Sequence, residues 1–191
     1  MAHDQSTPSP HPHDDDRSDQ TLVEAANRGE VEAFEALYLR YRDWVVSLAY
    51  RYTRDRELAL DVLQETFIYV LGKFPGFELR AQMKTFLYPT VRHLAVAMQS
   101  KVTRRPAASC DPLFEPPQDP ARDERMRGLA ELMESLPVGQ REVLMLRYAD
   151  GLSLADIAQA LEVPLGTVKS RLHNAIEAMR GDERAKKYLG P

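Results

Sequence analysis

Cysteine occurs once, at Cys110 in a polar, proline-rich stretch, which excludes an internal disulfide and any cysteine-built metal centre. No apolar run approaches the roughly 18 residues that a membrane helix needs. The first residues also lack the apolar core of a signal peptide, so the expected location is the cytoplasm. Strand-like alternation of apolar and polar residues is missing throughout. So are a glycine-rich phosphate loop, a His and carboxylate cluster at metal spacing, and a serine in a nucleophile-elbow context. Cys110 with His93 would be a dyad on paper, but a proline-rich segment is a poor scaffold for preorganised chemistry. His3, His11 and His13 lie in a strongly polar segment and read as solvated side chains. The chain therefore reads as no enzyme, with no cofactor and no metal.

Net charge is −4 over 191 residues, which looks wrong for a nucleic-acid binder until it is divided along the chain. Residues 1–20 hold five acids against Arg17, and 106–125 hold five against two basic side chains. Residues 21–105 carry thirteen basic against ten acidic side chains, and 126–191 balance at nine against nine. The acid is thus segregated, and the first body is mildly basic. That permits contact with DNA without demonstrating it.

Residues 1–20 contain almost nothing apolar and read as a disordered acidic tail. From Thr21 to Gly72 the pattern is helical. Ala25, Phe34, Leu37, Tyr38, Tyr41, Trp44, Val45, Leu48 and Tyr52 form an apolar stripe that Gly29 divides into a short and a long helix. Asp55 is the expected cap of a third helix over Arg56 to Leu71. Leu60, Leu63, Phe67, Ile68 and Leu71 are expected on its buried face, with Asp61, Gln64 and Glu65 on the other. A Pro/Gly loop follows at 73–77, then a helix from about Met83 to Val102. The segment 106–124, with Pro112, Pro116, Pro117 and Pro120 among acids, has the composition of a semi-extended spacer. Helical patterning resumes at Arg125, turns at Leu136-Pro137, and returns from Arg141 to Tyr148. Residues 182–191 are a charged, fraying end. The expectation is all-α: domains at 21–105 and 125–181, joined by a flexible acidic linker.

Leu152 to Met179 carries the clearest functional pattern. Ser153 is placed to cap a short helix bearing Asp156 in its first turn. Val163-Pro164 ends that helix, because the residue before proline is driven out of the helical region. In the next helix Val168, Leu172, Ala175, Ile176 and Met179 recur at inward-facing spacing. Thr167, Lys169, Ser170, Arg171, His173 and Asn174 line the other side, as a helix entering a DNA major groove requires. A plain helical hairpin with a solvated basic face has the same pattern. Asp61 and Glu65 likewise fit either a solvated acidic face or a docking face for a basic partner.

The string Asp61-Val62-Leu63-Gln64-Glu65-Thr66-Phe67, behind a helix bearing Trp44, resembles the polymerase-docking helix of bacterial sigma factors. Leu136-Pro137, Arg141-Glu142-Val143, Gly151-Leu152-Ser153 and Gly166-Thr167-Val168-Lys169-Ser170-Arg171-Leu172 resemble the promoter-reading domain of the same family. Residues 21–180 are together similar to the two-domain, extracytoplasmic-function group of sigma-70 factors. The resemblance implies a region 2 helical bundle and a region 4 helix-turn-helix. It implies that Asp61, Gln64 and Glu65 dock on the clamp helices of the polymerase largest subunit. The flap of core polymerase, promoter DNA and an anti-sigma factor are the other implied partners, with no direct membrane insertion. Lys73, Phe74, Phe77, Arg80, Lys84, Arg92 and His93 would open the −10 element and hold an unpaired base, with rings for stacking and cations for phosphates. Phe74 and Phe77 fit the core equally well. Thr167, Lys169, Ser170, Arg171 and Asn174 would read the −35 element.

The chain departs from the family at the last helix of the first domain. Phe86 stands where relatives have tryptophan, His93 where they have asparagine, and Pro89 lies between. That proline fits a helix only if it falls in the first turn. Glu162 occupies a turn position where glycine is common. Two other readings use the same residues: a sigma-like decoy that binds an anti-sigma partner but no promoter, and a stand-alone helix-turn-helix regulator. Lys169 and Arg171 argue against the first, and the helix around Asp61 is left unexplained by the second.

Overall fold

The computed structural model describes residues 15–102 and 132–182, and every regular element among them is a helix. The linker expected at 106–124, Cys110 and most of the two tails lie outside the described residues. The chain divides into two compact units, Met1–Ala108 and Ser109–Pro191.

In the first unit α1 spans Asp19–Asn27, α2 Val31–Thr53, α3 Arg56–Leu71 and α4 Met83–Val102. α1 ends in a Schellman turn: Gly29 sits at φ +91°, its N–H donates to Ala26 O, and Glu30 N–H donates to Ala25 O. Asp55 caps α3 by accepting from Leu58 N–H at 3.1 Å. The four helices bury Leu22, Leu37, Val45, Leu48, Val62, Leu87, Tyr88 and Val91 against one another.

Three expectations need correction here. The tail does not extend to residue 20. Ser18 caps α1, Arg40 Nη1 bonds Asp19 at 2.6 Å, and Arg17 pairs with Asp15 and Glu30, so side chains of α2 fasten the segment from Asp15 onward. On α3 the buried face is Ala59, Val62, Leu63, Thr66, Phe67 and Val70, while Leu60, Ile68 and Leu71 are exposed. Apolar residues run nearly all round this helix, and small Ala59 and Thr66 let α2 and α4 approach the other stripe. Pro89 lies inside α4, beyond its first turn, and the helix continues through it to Val102. The ring brings no N–H to the ladder, but Leu87, Tyr88, Val91 and Ala95 are buried on both sides of it and hold the segment helical.

In the second unit residues 132–135 are helical, and α5 spans Val138–Tyr148, α6 Leu154–Ala160 and α7 Leu165–Gly181. α5 thus starts three residues before the expected Arg141, and Val143, Leu144 and Leu146 are buried. Ser153 caps α6, accepting from Asp156 N–H at 3.1 Å while its hydroxyl donates to the Asp156 carboxylate at 2.6 Å. Leu152, Ile157, Val168 and Ala175 close the core. α6 ends in the same Schellman turn as α1: Val163 N–H donates to Ala158 O, and Glu162 takes the left-handed position at φ +54°.

Candidate nucleic-acid interface

The exposed side of α3 combines acid and hydrocarbon. Asp61, Gln64 and Glu65 all face solvent. Beside them, at helical spacing, stand Leu60, Ile68 and Leu71, exposed by 41%, 62% and 55%. Isolated exposed apolar residues need no explanation, but a file of them along one helix marks a surface meant to be covered. The sequence reading found the polar half of this face and buried the apolar half.

The loop between α3 and α4 is built from aromatic contacts. Phe74 meets Phe34 edge-on at 5.8 Å and Phe77 at 5.5 Å, and Phe77 packs on Phe86 at 4.6 Å. Phe86 in turn stacks with Tyr69 at 6.4 Å. Phe77 is buried and Phe74 half-buried, so Phe77 is a core ring rather than a free stacking platform. Phe86 is half-buried like Phe74, and Tyr69 is exposed; neither Phe86 nor Tyr69 is in the stacking set expected from the sequence.

The cations of this region are held in place. Lys73 Nζ lies 4.5 Å over the Tyr69 ring, and Lys84 Nζ lies 5.7 Å over the Trp44 ring of α2. Arg80 is engaged by Glu78 at 2.7 Å, both side chains exposed. Arg92 and His93 are exposed on α4, about 10 Å along its axis from Phe86. The structure therefore gathers Lys73, Phe74, Phe77, Phe86 and Tyr69 into one cluster, sets Arg92 and His93 farther along α4, and turns Lys84 to the Trp44 ring.

In the second unit Lys169, Ser170, His173 and Asn174 are exposed along α7, and Thr167 and Arg171 are half-buried. Thr167 closes the first turn, its carbonyl accepting from the Ser170 hydroxyl at 3.0 Å. Arg171 is the exception to a free reading face. Its guanidinium lies across Gly139 on the first turn of α5, where a Cβ would come within 3.1 Å of Cζ. A side chain there would make the flexible Arg171 guanidinium give way by a few tenths of an ångström. A glycine in a helix's first turn, with no turn to make, was the signal available in the sequence.

Comparison with known proteins agrees with this geometry. The profile of sigma-70 region 2 matches residues 37–105, and that of sigma-70 region 4 matches residues 126–179. The RNA polymerase sigma-H factor of Pseudomonas aeruginosa is 33% identical over 176 residues, covering 84% of this chain and 91% of that protein. The ECF RNA polymerase sigma-E factor of Escherichia coli K12 is 32% identical over 177 residues, covering 85% and 92%. The fold is similar to that of the sigma factor RpoE solved with the anti-sigma factor NepR from Bartonella quintana, at TM-score 0.61 and 22% identity over 82% of this chain and 96% of that one. It is equally similar to CnrH solved with the cytosolic domain of CnrY, at TM-score 0.62 and 22% identity over 84% and 93%. Two regions matched in order, and relatives a third identical over most of their length, place an exposed acid-and-apolar helix and a DNA-reading helix pair in one chain: it belongs to the sigma-70 family of RNA polymerase sigma factors, in the extracytoplasmic-function group.

Proposed function

We infer that this protein binds core RNA polymerase and directs it to a specific set of promoters. The observation that carries the reading is the presence, in one chain, of a helix with an exposed acid-and-apolar face and of a helix-turn-helix on separate units. α3 would dock through Asp61, Gln64 and Glu65, with Leu60 and Ile68 supplying the apolar contact. Acid beside hydrocarbon suits a basic helical partner, where charge sets orientation and buried apolar surface sets lifetime. The loop and α4 would take the −10 element, with Lys73, Lys84, Arg92 and His93 toward phosphates and Phe86 and Tyr69 as ring surfaces. α7 would read the −35 element through Thr167, Lys169, Ser170, Arg171 and Asn174. The acidic, proline-rich segment 106–124 serves as the spacer that lets both units engage once polymerase fixes their distance.

The protein does its work as a polymerase subunit in the cytoplasm and performs no chemistry of its own. An anti-sigma factor is the inhibitory partner, by analogy with the sigma factor RpoE, which was solved bound to the anti-sigma factor NepR. The test is transcription in vitro with core polymerase and a library of random upstream sequences. The expected result is enrichment of paired −10 and −35 motifs that core polymerase alone does not select. A library that yields no transcript above core polymerase alone, with folded protein, overturns the reading.

A further inference from the structure

Asn27, the last residue of α1, lies far from the nucleic-acid surfaces in sequence and beside one of them in space. Its amide oxygen accepts from the N–H of Gly76 at 2.7 Å and of Phe77 at 3.0 Å. Its amide nitrogen donates to the Phe77 carbonyl at 2.8 Å. One side chain thus satisfies three backbone groups of the loop between α3 and α4. Only a primary amide does this, because two N–H donors and one C=O acceptor on adjacent peptide units need an acceptor and a donor side by side.

The grip falls at the loop's most constrained point. Gly76 adopts φ +102°, a conformation that side-chain-bearing residues rarely take. Immediately after it, the Phe77 ring wedges against Phe86 at 4.6 Å, and Phe86 lies in the first turn of α4. Fixing the 76–77 backbone therefore fixes how the Phe86 ring and the Lys73 cation are offered to a nucleic acid. The burial of α1 and the turn that ends it are built from other groups. Leu22, Val23 and Ala25 bury α1 without it, and the Schellman turn after it is made by backbone groups alone.

We propose that Asn27 is the positioning residue for promoter opening: it holds the loop after α3 in the geometry that captures the unpaired −10 strand, while touching no DNA itself. The proposal rests on the promoter-directing reading above. It predicts a split between steps. Recruitment to duplex DNA depends on α7 and on polymerase and should not feel Asn27, whereas strand separation should.

The experiment uses the full chain assembled with core polymerase, on a promoter selected from the random library by the unaltered protein. Strand opening is followed by permanganate reactivity of unpaired thymines, and closed-complex affinity by competition at low temperature. Asn27→Ala should slow opening by about tenfold, the scale expected when part of a hydrogen-bonded anchor is lost. Affinity for core polymerase and for closed duplex should stay unchanged. A template already mismatched across the −10 element should restore its transcription toward that of the unaltered protein. Asn27→Asp keeps both N–H acceptances but turns a carboxylate oxygen toward the Phe77 carbonyl in place of the donor, so it too should open more slowly than the unaltered protein; it also serves if the alanine variant unfolds. Equal opening rates in all three proteins overturn the proposal. So does a parallel loss of polymerase affinity, opening and melting temperature, which would make Asn27 a structural residue only. Failure of the unaltered protein to select any promoter would instead strike the functional reading.

Discussion

The two units present the residues proposed for nucleic acid in opposite ways. On α7 of the second unit, Lys169, His173 and Asn174 stand out into solvent on a rigid helix. In the first unit Lys73 and Lys84 lie over rings, Arg80 is paired with Glu78, and the loop is tied to Asn27. The difference follows from the substrates. A duplex presents a fixed groove, so long side chains on a fixed helix can search for their partners. An opened strand has no fixed shape, so the protein must supply the geometry and hold its own rings and charges still.

The largest expected effect breaks the comparison at its shared precondition, docking on polymerase. Replacing exposed Leu60 and Ile68 together by Asp leaves the core untouched, and should weaken core polymerase binding by about 2–4 kcal/mol if these are anchors of the interface. Fluorescence anisotropy against labelled core polymerase measures this. An unchanged affinity would return α3 to a solvated face.

Next comes the reading helix. Lys169→Ala should lower duplex affinity evenly across sequences and reduce the salt slope by about one if it meets phosphate. Arg171→Ala should cost about 1–3 kcal/mol and relax preference at one base pair if its guanidinium leaves Gly139 for a base edge. Loss without change of preference would assign Arg171 to the backbone or to its seat on α5. Binding across a panel of single-base promoter variants separates these outcomes.

The two Schellman turns offer a smaller, internally controlled pair. Gly29→Ala places a side chain at φ +91° and should destabilise the first unit by about 1–2 kcal/mol. Glu162→Gly relieves the left-handed strain between α6 and α7 and, after glycine's extra unfolded-state entropy, should stabilise the second by about 0.5–1 kcal/mol. Opposite shifts in melting temperature are the expected signature.

The smallest effect concerns pH. Burial first, and then the Asp19 carboxylate that accepts its hydroxyl hydrogen, push the Tyr41 phenol above its ordinary value near 10. The folded state therefore favours the neutral phenol. Its contribution is complete below pH 10 and is lost as pH rises beyond it. Tyr41→Phe should remove that component of the alkaline stability loss in denaturant melts while leaving α7's DNA binding unchanged.

The helix boundaries were largely legible because their signals are local. Asp55, Ser153, Gly29 and Val163-Pro164 start or stop helices through contacts with residues a few positions away, and α3 and α4 begin and end where the pattern placed them. The faces of α3 were less legible. Leu60 and Ile68 look as apolar as Val62 and Phe67, and only the neighbours that approach decide which stripe is covered. Pro89 was read by a local rule that tertiary burial of Leu87 and Val91 overrode. Arg171 was rightly placed on the outer side of α7, but its lean onto Gly139 depends on how α5 crosses it.

By itself, then, the sequence determined the helical class, the caps, the order of the two units and the residue types offered to polymerase and DNA. These follow from periodicity, capping chemistry and composition, all short-range properties. The tertiary structure alone decided that Phe77 is core while Phe86 is half-buried and Tyr69 exposed, that Leu60 and Ile68 join Asp61 on an open face, and that Asn27 holds a loop 50 residues away. Each of these depends on packing between segments remote in the chain. No local pattern encodes that, because a buried contact is a property of two surfaces and a sequence displays them one at a time.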